Sequence, residues 1–193
     1  MKTAPDLPPG VSRTVAFQNR FLRVEIDDAT RHSVVRVTDA AAVLIYVRDR
    51  NEVLLISQRR AASVSAGNPS GRTEEAVAGR FDYQADVRTL LANEALEEAG
   101  VVCTPEEIVL LNGGQPLYSS PGVLTERVHL AYVEVDSTRV DPDDRVYGAA
   151  GEHEAIRRRF VPADELAAMH CDNLTAMTLI QWFLNHRRER RCP

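Results

Sequence analysis

The sequence predicts a single mixed α/β domain of the α+β kind, and three observations predict it. Two dense β-type runs, 41–47 and 53–58, flank the turn residues Asp49, Arg50 and Asn51. A helix over 86–99 follows, with Asp86 suited to cap its start and Gly100 placed just past its end. Further strands come after that helix and the remaining helices come last, which is not the alternating strand–helix series of a parallel sheet.

The elements can be justified in order. Residues 1–10 read as a flexible lead, and 21–27 with 33–38 as a hairpin with interspersed charges. Gly67, Asn68, Pro69, Ser70 and Gly71 make 66–72 a loop, and 75–79 reads as a short strand entering a turn. In the helix, Val87, Leu90, Leu91 and Ala95 form the apolar stripe. Strands are expected at 108–111, 127–135 and 156–161. Pro162 leads into a helix near 163–169, and a last helix spans 174–185 with Leu179, Trp182 and Phe183 as core anchors. The basic run 187–191 is expected to fray from that helix end while complementing its dipole. The division implied is a lead and small β region over 1–40, then the main domain over 41–193.

Composition narrows the function. A formal net charge of -5 argues against a large basic surface for nucleic acid. No apolar run approaches the roughly 20 residues of a membrane helix, and 1–10 carries three prolines and no apolar stretch, unlike a secretory signal. A cytoplasmic protein with neither a membrane nor a nucleic-acid partner is expected. Cys103, Cys171 and Cys192 are too far apart for a metal motif or a disulfide framework. The first two are expected to be buried as small apolar residues, and Cys192 to be exposed.

The chemistry concentrates on Glu94, Glu97 and Glu98. At spacings of three and four they share one helix face, where like charges repel. They also lie toward the helix C-terminus, where the macrodipole disfavours anions. A hard cation such as magnesium would relieve both penalties, although spacing alone equally describes a solvated acidic face. The stretch from Gly79 to Val101 resembles the Nudix box: glycine, five residues, glutamate, seven residues, then Arg-Glu-aliphatic-x-Glu-Glu-x-Gly-aliphatic. Gly79, Glu94, Ala95, Glu97, Glu98, Gly100 and Val101 fall in register. Two positions depart. Ala85 stands where the box has its first glutamate, and Asn93 where it has arginine. Loss of both leaves no stranded charge, and Asp82 or Asp86 is a candidate to replace part of the missing carboxylate.

The chain is most similar to the nucleoside-diphosphate-sugar branch of Nudix enzymes, the ADP-ribose and GDP-mannose pyrophosphatases. Further segments carry this: 53–60, which ends in Gln58-Arg59-Arg60; Ser120-Pro121-Gly122 with Thr125-Glu126; and the acidic loop Gly151-Glu152-His153-Glu154. The 67–71 loop resembles the GDP-mannose enzymes. The resemblance implies an αβα sandwich around a mixed sheet, preceded by a small N-terminal β region that exchanges contacts in a homodimer. It implies magnesium or manganese as cofactor, with Glu94, Glu98, Glu154 and the Ala78 carbonyl as metal ligands and Glu97 as a ligand or a support for one. Glu152 would be the catalytic base, an order that could be reversed with Glu154. Arg60 would bind phosphate, and Glu75, Ser120, Gly122 and Glu126 would line the substrate or dimer region. The reaction implied is hydrolysis of a nucleoside diphosphate sugar to a nucleoside monophosphate and a sugar phosphate. Ala85 and Asn93 leave open a nucleotide sensor on the same scaffold, and a dinucleotide or coenzyme A remains an alternative substrate. Without the family, Arg60 could be an ordinary strand-end charge, Glu152 and Glu154 solvated loop acids, and Ser120-Pro121-Gly122 a plain turn.

Overall fold

A computed structural model describes residues 7–20, 22–81, 86–148 and 155–191. Near the N-terminus, β1 (Arg13–Gln18), β2 (Arg23–Asp27) and β3 (Ser33–Arg36) form a three-stranded antiparallel sheet. The expected hairpin is β2 with β3, and β1 adds an unforeseen third strand. Buried Glu25 holds this sheet together on one face, accepting a paired contact from Arg36 at 3.1 and 3.0 Å with Arg13 and Arg23 alongside. Those guanidinium groups keep its carboxyl below the ordinary value even though burial pushes the other way.

The main sheet begins with β4 (Ala40–Val47) and β5 (Glu52–Arg59), joined by a tight turn in which Asn51 adopts φ 53°. Asparagine tolerates this left-handed conformation, as the turn chemistry anticipates. The two strands pair only between Ile45–Val47 and Glu52–Leu54. Beyond that they separate, and β6 (Arg72–Glu75) pairs with β5 while β7 (Val77–Arg80) pairs with β4. The single strand expected over 75–79 is thus two short strands that switch partner at Ala76. After α1 (Val87–Ala99) come β8 (Val109–Leu110), β9 (Leu117–Tyr118), β10 (Arg127–Val135), β11 (Arg157–Pro162) and α2 (Leu174–Arg191). The strand order is β11-β5-β4-β10-β8. β10 runs parallel to β4, and the other pairings are antiparallel.

Alternation along β4 sorts the core into two layers. Ala41, Val43, Ile45 and Val47 pack with Leu91, Ala95 and Ala99 of α1. Ala42 and Leu44 pack with Leu179, Ile180 and Phe183 of α2. The sheet lies between the two helices, the mixed α/β sandwich that was expected. Full burial of Leu179 and Phe183 contributes about 2–3 kcal/mol each, while Trp182 is only partly buried.

Two expectations at the C-terminal end are corrected. Residues 163–169 form a single 3-10 turn, Leu166–Ala168, not a helix. Pro162 closes β11 and its carbonyl accepts from Glu165 N, so one turn is all the chain makes before the lead into α2. There Asn173 caps the helix, its side chain accepting from Ala176 N at 2.9 Å. The basic run does not fray, because α2 continues to Arg191. Arg187 donates to Asn51 Oδ1 at 2.9 Å, pairs with Asp164 at 3.4 Å and lies over the rings of Tyr46 and Phe183. Arg190 pairs with Glu134 at 2.8 Å. No helix among the described residues is long and apolar enough to cross a membrane. Cys103 and Cys171 are half-buried, and burial raises both thiols above their ordinary pKa; Cys192 lies outside the described residues.

Candidate active site

The site is built where α1 crosses β7. Both ends of the helix are fixed by the residues that announce them. Asp86 accepts from Arg88 N at 3.0 Å and Thr89 N at 3.2 Å, and also takes the Thr89 hydroxyl. These bonds hold its carboxyl below the ordinary value, the Thr89 side chain contributing most. Asp86 therefore acts as the helix cap and not as the replacement carboxylate considered for position 85; Asp82 and Ala85 lie outside the described residues. At the other end Gly100 sits at φ 62°, with Gly100 N bonded to the Leu96 carbonyl and Val101 N to that of Ala95, a left-handed closure that favours glycine.

The helix approaches β7 very closely. A Cβ built on Gly79 would fall inside contact distance of Glu94 Oε1 and Cδ, and 2.6 Å from its Cγ. Glu98 is buried, 5% exposed, and its Oε2 accepts from Ala78 N at 3.0 Å. The structure thus gathers Glu94, Glu98, Ala78 and Gly79 at one point. Glu97 projects to solvent, as does Asn93. Burying a carboxylate is costly unless it is paired or bonded, and the Ala78 amide offsets part of that cost for Glu98. Among the described residues no three histidine, cysteine, aspartate or glutamate side chains form a metal cage on their own. Glu152, His153 and Glu154 lie outside those residues.

Arg60 and Glu75, both singled out from sequence, meet each other. Arg60 donates through Nε at 2.9 Å and Nη2 at 2.7 Å to the two carboxylate oxygens of Glu75. The β5–β6 register makes this pair by setting Ile56 opposite Glu75. Glu75 also accepts from the Thr73 hydroxyl and, at 3.4 Å, from buried Gln58. Gln58 and Thr73 are therefore parts of the site that sequence reading left unassigned, although Gln58 stands inside the Gln-x-Arg segment. By strand alternation Glu75, Val77 and Gly79 share the side of the sheet that faces α1, so the Arg60–Glu75 pair lies on the same side as Glu94 and Glu98.

Ser120, Gly122 and Glu126 belong to a different feature. Ser120 O accepts from Val123 N and Leu124 N, closing a turn that docks on the N-terminal sheet. Val35 N donates to Val123 O at 2.7 Å, and Thr125 N donates to Val35 O at 3.1 Å. Glu126 is half-buried and its carbonyl accepts from Ser119 N.

Comparison with known proteins points the same way as the box. No family model matches the chain. The chain is 40% identical over 127 residues to a GDP-mannose pyrophosphatase of Cronobacter sakazakii, covering 66% of this chain and 61% of that relative. It is 32% identical over 145 residues to a GDP-mannose pyrophosphatase of Citrobacter koseri, covering 74% and 70%. It is 27% identical over 176 residues to an ADP-ribose pyrophosphatase of Escherichia coli, covering 89% and 80%. With that extent of matched sequence, and with the box folded as a capped helix over a glycine-containing strand, the chain belongs to the Nudix superfamily of hydrolases.

Proposed function

We propose that this protein hydrolyses the pyrophosphate bond of a nucleoside diphosphate sugar of the ADP-ribose or GDP-mannose kind, with magnesium or manganese, to a nucleoside monophosphate and a sugar phosphate. The observation that carries the reading is the close seat of Glu94 and Glu98 on the Ala78–Gly79 backbone. Two carboxylates in the C-terminal half of one helix are unfavourably placed against its dipole, and a divalent cation offsets that penalty. Hard oxygen donors of this kind suit magnesium. Glu94, Glu98, the Ala78 carbonyl and Glu154 would hold the ion, with Glu97 in support. The ion would mask the negative charge of the diphosphate and acidify a water.

The remaining work falls to the chain's own side chains. Arg60, held by Glu75 through Nε and Nη2, would offer its remaining guanidinium N–H groups to the phosphate oxygens. Glu152 would take the proton from the attacking water as its oxygen bonds to phosphorus and the bridging P–O bond breaks. Glu75, Ser120, Gly122 and Glu126 would line the substrate or the contact with a second copy, in a cytoplasmic homodimer. The names of the relatives support the substrate class.

The test is incubation with magnesium or manganese and a panel of GDP-mannose, ADP-ribose, a dinucleotide and coenzyme A, scored by released monophosphate. Metal-dependent release from a sugar nucleotide is expected, and Glu98→Gln should abolish it while the fold persists, since the amide oxygen can still accept from Ala78 N. Tight binding with no product would overturn the hydrolase and favour the sensor to which Ala85 and Asn93 point. Release from the dinucleotide or coenzyme A alone would overturn the substrate.

A further inference from the structure

Positions 85 and 93 carry no charges, so no ion pair between them can brace the front of α1. The rear of the helix is held instead. Arg158, on β11, donates through Nη1 to the Ala99 carbonyl at 3.3 Å and to the Asp141 carbonyl at 2.8 Å, and through Nη2 to the Asp143 carbonyl. Its guanidinium lies 4.7 Å from the ring centroid of Tyr147. The Tyr147 hydroxyl donates to the same Asp143 carbonyl at 3.0 Å. One cation therefore ties the last residue of α1 to the 141–147 segment. Gly100 lets that segment approach, because a Cβ there would stand 2.8 Å from Asp141 and Tyr147.

The same contacts lead directly to the residues on either side of 149–154. Tyr147 and Ile156 exchange backbone bonds at 2.9 and 3.1 Å. Gly148 N donates to the Glu97 carbonyl at 3.3 Å, inside the glutamate triplet. Ala155 O accepts from Arg72 Nη2 at 3.2 Å. Arg158 accepts a cost in return: its Nε is buried with no hydrogen-bond partner among the described residues, which is destabilising for a polar group.

We propose that Arg158 and Tyr147 are positioning residues, which lock the C-terminal turn of α1 to the Asp141–Gly148 segment and so hold Glu97 and Glu98 of that turn in register with Glu94 and the Ala78–Gly79 strand. The inference rests on the hydrolase reading for its catalytic meaning, but the clamp is a claim about backbone geometry and can be tested separately. Arg158 and Tyr147 act through the Asp141–Gly148 segment, to whose backbone carbonyls both donate.

The experiment compares the full chain with Tyr147→Phe, which removes one hydroxyl, and Arg158→Lys, which keeps the charge but loses the fork. Amide hydrogen exchange, manganese binding to the protein alone, and kcat and KM for the sugar nucleotide that turns over are measured at a temperature where each variant is folded. Faster exchange is expected at 141–148 and at 156, with the amides of β4 and β10 unchanged. Manganese should bind several-fold more weakly. The kcat should fall by roughly 10-fold in Tyr147→Phe and roughly 100-fold in Arg158→Lys, with KM little changed, as expected for misplaced groups. Unchanged exchange at 141–148 would overturn the clamp even in an active enzyme. Faster exchange with wild-type kcat and manganese affinity would overturn the positioning role. If the wild-type protein hydrolyses nothing in the panel, the hydrolase reading fails, and the exchange and manganese measurements still decide the clamp.

Discussion

Gly79→Ala separates the two demands on the site, a stable fold and a placed carboxylate. Gly79 has no positive φ, so alanine brings no backbone strain there. What the new methyl meets is the side chain of Glu94, with Cγ at 2.6 Å and the carboxyl group closer still. Ordinary carbon contact begins near 3.5 Å, so Glu94 must move by on the order of 1 Å. Half-exposed and flexible, it can do so by a rotamer change costing about 0.5–1.5 kcal/mol. A displacement of about 1 Å in a catalytic constellation costs roughly 100-fold in rate, equivalent to about 2.7 kcal/mol of barrier. The expected outcome is a melting temperature within a few degrees of wild type, manganese affinity lowered, and kcat/KM for the sugar nucleotide lowered by about two decades. Gly100→Ala is the control, since there φ is +62° and the methyl meets Tyr147 and Asp141 at 2.8 Å. It should lose more than about 1 kcal/mol of stability and read out first in urea melts. Wild-type turnover in a well-folded Gly79→Ala protein would refute the claim that the seat of Glu94 on β7 matters to the chemistry.

Other expectations follow from the same geometry. Asp86→Ala removes an acceptor for two backbone amides and should lower the midpoint of a denaturant titration; Asp86→Asn should recover most of the loss. Glu107 should make stability pH-dependent. Its bond to Arg139, helped by Thr104 N, lowers its pKa to about 2 from an ordinary 4.5. Because the folded value is depressed, this stabilisation is complete above the unfolded pKa and disappears as pH falls from about 4.5 toward 2. With the side chain 39% exposed, solvent screening limits the effect to about 1 kcal/mol. Glu107→Gln should therefore be less stable than wild type at pH 7 and match it near pH 2; an equal difference at both would exclude the pair as its source. Arg187→Ala should destabilise by about 1–2 kcal/mol by stripping Asn51 and Asp164 of a partner, seen as a lowered melting temperature without any change in manganese affinity.

The parts of this fold legible in the sequence are those whose signals are local. α1 declares both its ends, because an aspartate that caps and a glycine that accepts a left-handed φ are chemical requirements of a helix boundary. β4, β5 and β10 are legible because they are apolar enough to be buried on both faces of a sheet. β1 is not, since its short Val15–Phe17 alternation enters no core: those side chains remain 48% and 54% exposed, and the strand is held by backbone pairing with β2. The run 187–191 looks like a helix end about to fray because Asn51, Asp164 and Glu134, the groups that bind it, come from distant segments. Likewise Arg60 and Glu75 can each be singled out from a motif, but their pairing follows from the β5–β6 register. The clamp at Arg158 is hidden for another reason: its partners are backbone carbonyls, which every residue has.

Small residues explain why the carboxylates can be where they are. On the strand side the α1 contact is made by Val77 and Gly79, with Ala41 beside them; on the helix side it is made by Ala95 and Ala99. Larger side chains at these positions would lift the helix from the sheet, since interiors are close-packed and a methylene is felt. Lifted by even a side chain's breadth, Glu98 could no longer reach Ala78 N, and its charge would be left without that partner. On the proposed reading, the alanines of the box region would serve the chemistry alongside its glutamates, by setting the distance at which a helical carboxylate meets a strand amide. A volume-increasing change such as Ala95→Leu, which touches no charged group, should consequently weaken manganese binding, and a variant that packs the leucine without such a loss would show that helix-to-strand distance does not set the site.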